Sequence, residues 1–287
     1  MTMPSCVTIK RALAVLGVWL CTGCSEGENV SVLGAGQSAP MSFEEFRASA
    51  QRVDDGYVVD GDIFLSSEDK LREYYDSYAG EGALTVNQIF SGDDLWGFPA
   101  SQALTYCVSD DFAARKPALV AALDVATKSW SDLVGVRYEY LPAHDGACNA
   151  SNNSVVFHVI PFVSQFFAIA FWPSSARADR SLRISEAAFT TTDGGRDLQG
   201  IMRHELGHTL GFRHEHIWLY DSSCSPEMPD SSVRLVNSYD VDSVMHYPQC
   251  RPSTTGGYRQ TVLDYGGAIS LYGLSSQLIA SSHFVID

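Results

Sequence analysis

The sequence predicts an α+β domain with helices packed on one twisted sheet, and three observations lead there. The segments VRYEYL, SVVFHVI, FAIAFW and LRISEAAF carry the β-branched and aromatic residues of short strands. Residues 117–133 and 197–212 carry apolar side chains at helical spacing instead. Strands mixed with two long helices in this order bury their apolar faces by stacking helices on a sheet; α/β is the neighbouring reading.

The chain has 287 residues and is 45% hydrophobic, enough for one large domain or two modest ones. It carries 34 acidic and 19 basic residues, a formal net charge of -15. That balance argues against nucleic acid as a partner and against unaided binding to anionic lipid. Its plainest effect is to keep an exported protein soluble.

Lys10 and Arg11 precede the apolar run ALAVLGVWL, which is too short to span a bilayer and is followed by Cys21-Thr22-Gly23-Cys24. This resembles a bacterial lipoprotein signal over residues 1–23, with Cys24 as the lipidated residue, although a leucine is usual where Cys21 stands. Ordinary signal cleavage nearby is the competing reading. Both place the chain outside the cytoplasm, secreted or as an outer-membrane lipoprotein, with the membrane touched only through the anchor.

Residues 24–94 form the next region, which opens on a polar tether. They hold fifteen acids against four bases, a denser negative balance than in residues 95–287. Ser42 and Glu45 form a capping box for a helix running to about Val53, GYVVDGDIFL reads as extended, and a second helix starts near Ser67. From Leu95 the pattern changes. QALTYCV alternates like a strand, and residues 117–133 begin with proline at a first-turn position and put Leu119, Leu123, Ala126 and Trp130 on one face. Cys107, Cys148, Cys224 and Cys250 are the cysteines beyond Cys24, an even number that suggests two disulfides in sequential pairing. A zinc site built from these thiols is the rival, disfavoured by their wide spacing.

The stretch HELGHTLGFRH carries the chemistry. His204 and His208, four residues apart, share one helical face, so two imidazoles can reach one metal ion, with Glu205 beside them. Gly211 can end the helix in a left-handed turn and swing His214 back towards the same ion. Three neutral imidazoles leave zinc's fourth position open, the arrangement of a catalytic site with one Zn2+. A carboxylate at Glu205 can then take a proton from water attacking a carbonyl, which is peptide hydrolysis.

HExxHxxGxxH resembles the metzincin signature, and SVMHY at residues 243–247 resembles the methionine turn of that group. Together they resemble the astacin family and the related secreted bacterial HEIGH metallopeptidases. The resemblance implies a metzincin-like catalytic domain over residues 95–287, with a mostly parallel twisted sheet, an active-site helix, Met245 under the ligands, and Tyr247 as an extra ligand that swings away to stabilise the oxyanion. It implies that residues 24–94 hold, after the tether, a propeptide in which VVDGDIFL is a prosegment stretch and Asp62 a latency switch; Phe90-Ser91-Gly92-Asp93 has a similar form. Glu215 corresponds to a carboxylate that pairs with the mature N-terminus or a neighbouring group. The expected function is a latent, zinc-dependent endopeptidase acting on protein or peptide. A non-catalytic metzincin-fold surface lipoprotein binding a partner, and an amidase acting on cell-wall peptides, are the rivals. His144, His158, His216 and His283 lack ligand spacing.

Overall fold

The computed structural model describes residues 43–59, 61–75, 84–90, 92–191, 196–219, 232–250 and 258–282. The signal, Cys24, the tether, Ser42, Ser91, Cys224 and His283 lie outside them. All the described residues belong to one compact unit, Met41–Asp287. Among them no helix is long and apolar enough to cross a membrane.

Helix α1 (Phe43–Ser49) leads into β1 (Gln51–Val53), β2 (Gly56–Val59) and β3 (Ile63–Leu65), then α2 (Glu68–Tyr75). The first helix stops short of Val53 because residues 51–53 pair with β2, Gln51 opposite Val58 and Val53 opposite Gly56, through a turn at Asp54. Phe43, Phe46, Tyr57, Val59, Ile63, Leu65 and Leu71 form a small core of their own, joined by Trp172.

Strands β4 (Thr85–Ile89) and β5 (Gly92–Asp93) form a hairpin. Then follow β6 (Leu104–Val108), α3 (Lys116–Ser131), β7 (Tyr138–Tyr140), β8 (Phe157–Pro161), β9 (Ala168–Ile169), β10 (Ser181–Ile184), α4 (Leu198–Thr209), β11 (Val233–Leu235), α5 (Val262–Tyr272) and α6 (Ser276–Ser282). The main sheet has the order β7-β6-β8-β10-β9, parallel throughout except for β9, which runs antiparallel at the edge. The mixed α/β architecture and mostly parallel sheet agree with the sequence reading. EAAF, read as strand, is instead a 3-10 turn at Glu186–Phe189.

The period of two along β6 sorts its side chains. Leu104, Tyr106 and Val108 enter the main core, while Cys107 faces the other side and is bonded to Cys148. Leu119, Leu123, Ala126 and Trp130 of α3 are buried in that same core with Ile201, Met202 and Leu206 of α4. Cys250 is disulfide-bonded as well. Leu84 and Val86 also lie in or beside this core, and β4 pairs with β11.

Candidate metal centre

Helix α4 opens on Asp197, whose side chain accepts from the backbone N–H of Gly200, as an N-cap should. At its far end aromatic side chains add donors to backbone carbonyls. Trp96 Nε1 donates to Thr209 O at 2.6 Å, Tyr138 Oη to Leu206 O at 3.2 Å and Tyr272 Oη to Leu210 O at 2.7 Å. Trp130 Nε1 donates to Arg203 O at 3.0 Å from the α3 side. The helix is thereby held in fixed rotation, which decides where its histidines point.

Gly211 makes the turn after α4 at φ +93°, and a Cβ there would stand 2.1 Å from the Asp94 carbonyl oxygen. The next residues run beside β4, with Arg213 N–H donating to Thr85 O at 2.8 Å. Gly211→Ala is therefore expected to destabilise the protein by about 2–5 kcal/mol, since left-handed strain and overpacking add. Differential scanning fluorimetry should register a drop of roughly 5–15 °C. Melting at the parental temperature would contradict this account of the turn.

The turn brings three imidazoles together. His204 Nε2 lies 3.1 Å from His214 Nε2 and 3.2 Å from His208 Nε2, and the remaining pair is 3.2 Å apart. His204 Nδ1 donates to Val244 O at 2.7 Å and His208 Nδ1 to Phe212 O at 2.7 Å. A carbonyl can only accept, so Nδ1 carries the hydrogen in both rings and Nε2 presents a lone pair. Burial pushes His204 down to about 4, with the Asp62 contact opposing, so the ring is neutral near pH 7.

Asp62 sits in the same pocket. Its Oδ2 is 3.2 Å from His204 Nε2 and 3.1 Å from His214 Nε2, its Oδ1 is 3.4 Å from His208 Nε2, and Tyr247 Oη donates to Oδ2 at 3.0 Å. Gly61, at φ +89°, lets the chain pass that hydroxyl, since a Cβ there would be 2.7 Å from it. Burial pushes the Asp62 carboxyl up, but positive charge on His214 and His208 with a hydrogen bond from His204 outweighs it and holds it well below the usual carboxylate range, a pull that a shared cation supplies when the rings are neutral. Asp62 Oδ1 and Glu205 Oε2 are both buried without a hydrogen-bond partner.

With Nδ1 holding the hydrogen in His204 and His208, their Nε2 lone pairs face the Asp62 carboxylate, acceptors facing acceptors, a cluster that a shared cation makes favourable. Nitrogen and oxygen donors at this spacing suit zinc. The buried quartet Asp62, His204, His208 and His214 offers ligand atoms all within 4.8 Å of one another.

Glu205 is 3% exposed, and burial pushes its carboxyl well above the usual range, with the charge of Asp62 adding. Met245 is fully buried, its sulfur 2.3 Å from where a Cβ on Gly207 would stand, so it lies directly against α4. Glu215 is buried too, accepting from Asp240 N–H at 2.9 Å. His158 is buried away from the quartet beside Arg177, and His216 stacks on Tyr247. Of the Phe90-to-Asp93 candidate, Asp93 pairs with Arg234 instead.

Sequence reasoning missed Asp264. It accepts from Ser243 Oγ at 2.6 Å and Val244 N–H at 2.8 Å, fixing the stretch whose carbonyl orients His204. Burial raises its carboxyl to about 6. The signal available was its capping box with Thr261 at the start of α5.

Known proteins with similar sequence carry one description. They are astacin-like metalloendopeptidases. That of Coturnix japonica is 41% identical over 78 residues, 22% of this chain and 19% of its own length. That of Gallus gallus is 40% identical over 80 residues, with the same coverage. The match thus spans about a fifth of these relatives. No protein-family model matches the chain. The solved structure of myroilysin aligns with 66% of this chain and 98% of its own at 13% identity, with a TM-score of 0.45.

Proposed function

We propose that the chain is a secreted or lipid-anchored zinc-dependent endopeptidase, made as a latent precursor. The observation that carries this reading is the meeting of three imidazole Nε2 atoms beside the buried Glu205, whose Oε2 has no hydrogen-bond partner among the described residues. His204, His208 and His214 would hold the ion, which when bound supplies a Lewis acid that polarises a carbonyl and acidifies water.

The chain's own residues do the rest. Glu205 takes the proton of the attacking water and returns it to the departing amine; burial has already raised its proton affinity. Tyr247, whose hydroxyl reaches the Asp62 oxygen, is placed to donate to an oxyanion once that oxygen leaves. Met245 forms the floor under α4. The 43–75 segment is the prosegment: Asp62 fills the pocket, Ala170 N–H donates to Asp62 O at 2.8 Å and Ile63 bridges Ala170, so the segment extends the sheet beyond β9. Substrate would take the same edge.

The non-catalytic binder is disfavoured because such a protein has no use for a buried, unpaired Glu205. The test is metal-dependent hydrolysis. After prosegment release, the chain should carry one zinc by plasma mass spectrometry, and casein cleavage should vanish with a chelator and return with added zinc. Tight metal binding with no cleavage of casein or peptides would favour the binder.

A further inference from the structure

Strands β9 and β10 pair Ile169 with Arg183, so the two side chains stand together beside β9, the edge strand of the main sheet. There the hairpin of β1, β2 and β3 lays Phe64 against Arg183, the guanidinium carbon 3.9 Å from the ring centroid. Asp54 Oδ2 meets Arg183 Nη1 at 2.7 Å. Phe64, Val58 and Ile169 form one buried cluster, with half-buried Phe162 and Phe166 packed on it. The Arg183 side chain is 13% exposed, and its Nε is buried without a hydrogen-bond partner.

Ownership of these groups divides sharply. Phe64, Val58 and Asp54 arrive with the hairpin, whereas Arg183, Ile169, Phe162 and Phe166 belong to the sheet and the loop between β8 and β9. Release of the hairpin would uncover an arginine beside Ile169, with Phe162 and Phe166 of the same apolar cluster, next to the edge where residues 62–64 lie against Ala170. A guanidinium of this kind recognises a flat ring by stacking and a carboxylate by charge-assisted hydrogen bonds. Nη1 pairs with Asp54 while the buried Nε has no hydrogen-bond partner among the described residues, so the guanidinium keeps a donor to spare.

We propose that this surface is a substrate-docking exosite taking an aromatic side chain together with a carboxylate from the segment lying along β9. The prosegment fills it in cis with Phe64 and Asp54. The inference rests on the protease reading and adds a preference to it: substrates with phenylalanine or tyrosine near an acid, away from the scissile bond, are favoured.

The test uses the full chain after prosegment release and two sets of fluorogenic peptides. One set places a Phe-Asp pair at stepped distances from the scissile bond; the other is too short to reach the surface. Arg183→Glu is expected to lower kcat/KM on the best long peptide about tenfold more than on the short one, mainly through KM. Arg183→Lys keeps the charge but loses the flat face and should fall between. Equal losses on both sets, in both variants, would overturn the exosite while leaving the protease reading intact. If the parental enzyme cleaves neither set, the protease reading fails and the exosite with it.

Discussion

Glu205→Gln is expected to abolish peptide hydrolysis while leaving the metal content of the chain unchanged. The substitution keeps the shape of the side chain and removes only its ability to accept and return a proton. Glu205 follows His204 on α4 and is almost wholly buried, so the amide will pack where the carboxylate packs. Among the described residues its Oε2 has no hydrogen-bond partner, which leaves that oxygen open to a water or a substrate group. General acid and base help is worth roughly 10²–10⁴ in rate, so kcat should fall by at least that much with KM little changed. Zinc by plasma mass spectrometry, far-ultraviolet circular dichroism and peptide turnover form the measurement. Cleavage at the parental rate by a zinc-loaded variant would remove Glu205 from the mechanism.

The part of the site legible in the sequence is the part that is local. His204, Glu205, His208, Gly211 and His214 fall within eleven residues, and helix periodicity plus one left-handed turn converts their spacing into a converging set. The four apolar positions of α3 were readable for the same reason, since a 3.6-residue period needs no tertiary information. Asp62 is different. It lies 142 residues before His204, and only a resemblance, not any period, connects the two. The donors that fix α4, from Trp96, Tyr138 and Tyr272, are equally unreadable, because an indole or phenol finds a backbone carbonyl only once the chain has folded. Helix α5 was hidden by Gly266 and Gly267, which lower helix propensity in its middle. Strand β1 was hidden by the helix signal before it: the capping box starts α1 but carries no information about its end, which the pairing with β2 decides.

The second large effect concerns latency. In the unprocessed chain, Asp62→Ala is expected to raise peptide hydrolysis by roughly 10²–10⁴ over the parental precursor, the factor that corresponds to the 3–5 kcal/mol typical of breaking a buried charge contact. The carboxylate stands among three imidazole Nε2 atoms and accepts from Tyr247, the positions a scissile carbonyl and its oxyanion would need. Removing it frees those groups without unfolding the prosegment, whose core of Phe43, Phe46, Tyr57 and Leu71 does not include Asp62. Trp172 and Arg183 still hold that segment against the sheet, through the apolar core and through Phe64. Activity should therefore stop short of the processed enzyme, and adding Phe64→Ala should close part of the gap. Intact-mass spectrometry of the assayed sample must detect the full chain, so that cleavage of the prosegment is not mistaken for its loosening. A zinc-loaded, unprocessed Asp62→Ala chain as silent as its parent would mean that latency rests on coverage of the sheet edge, and that Asp62 fills the pocket without closing it.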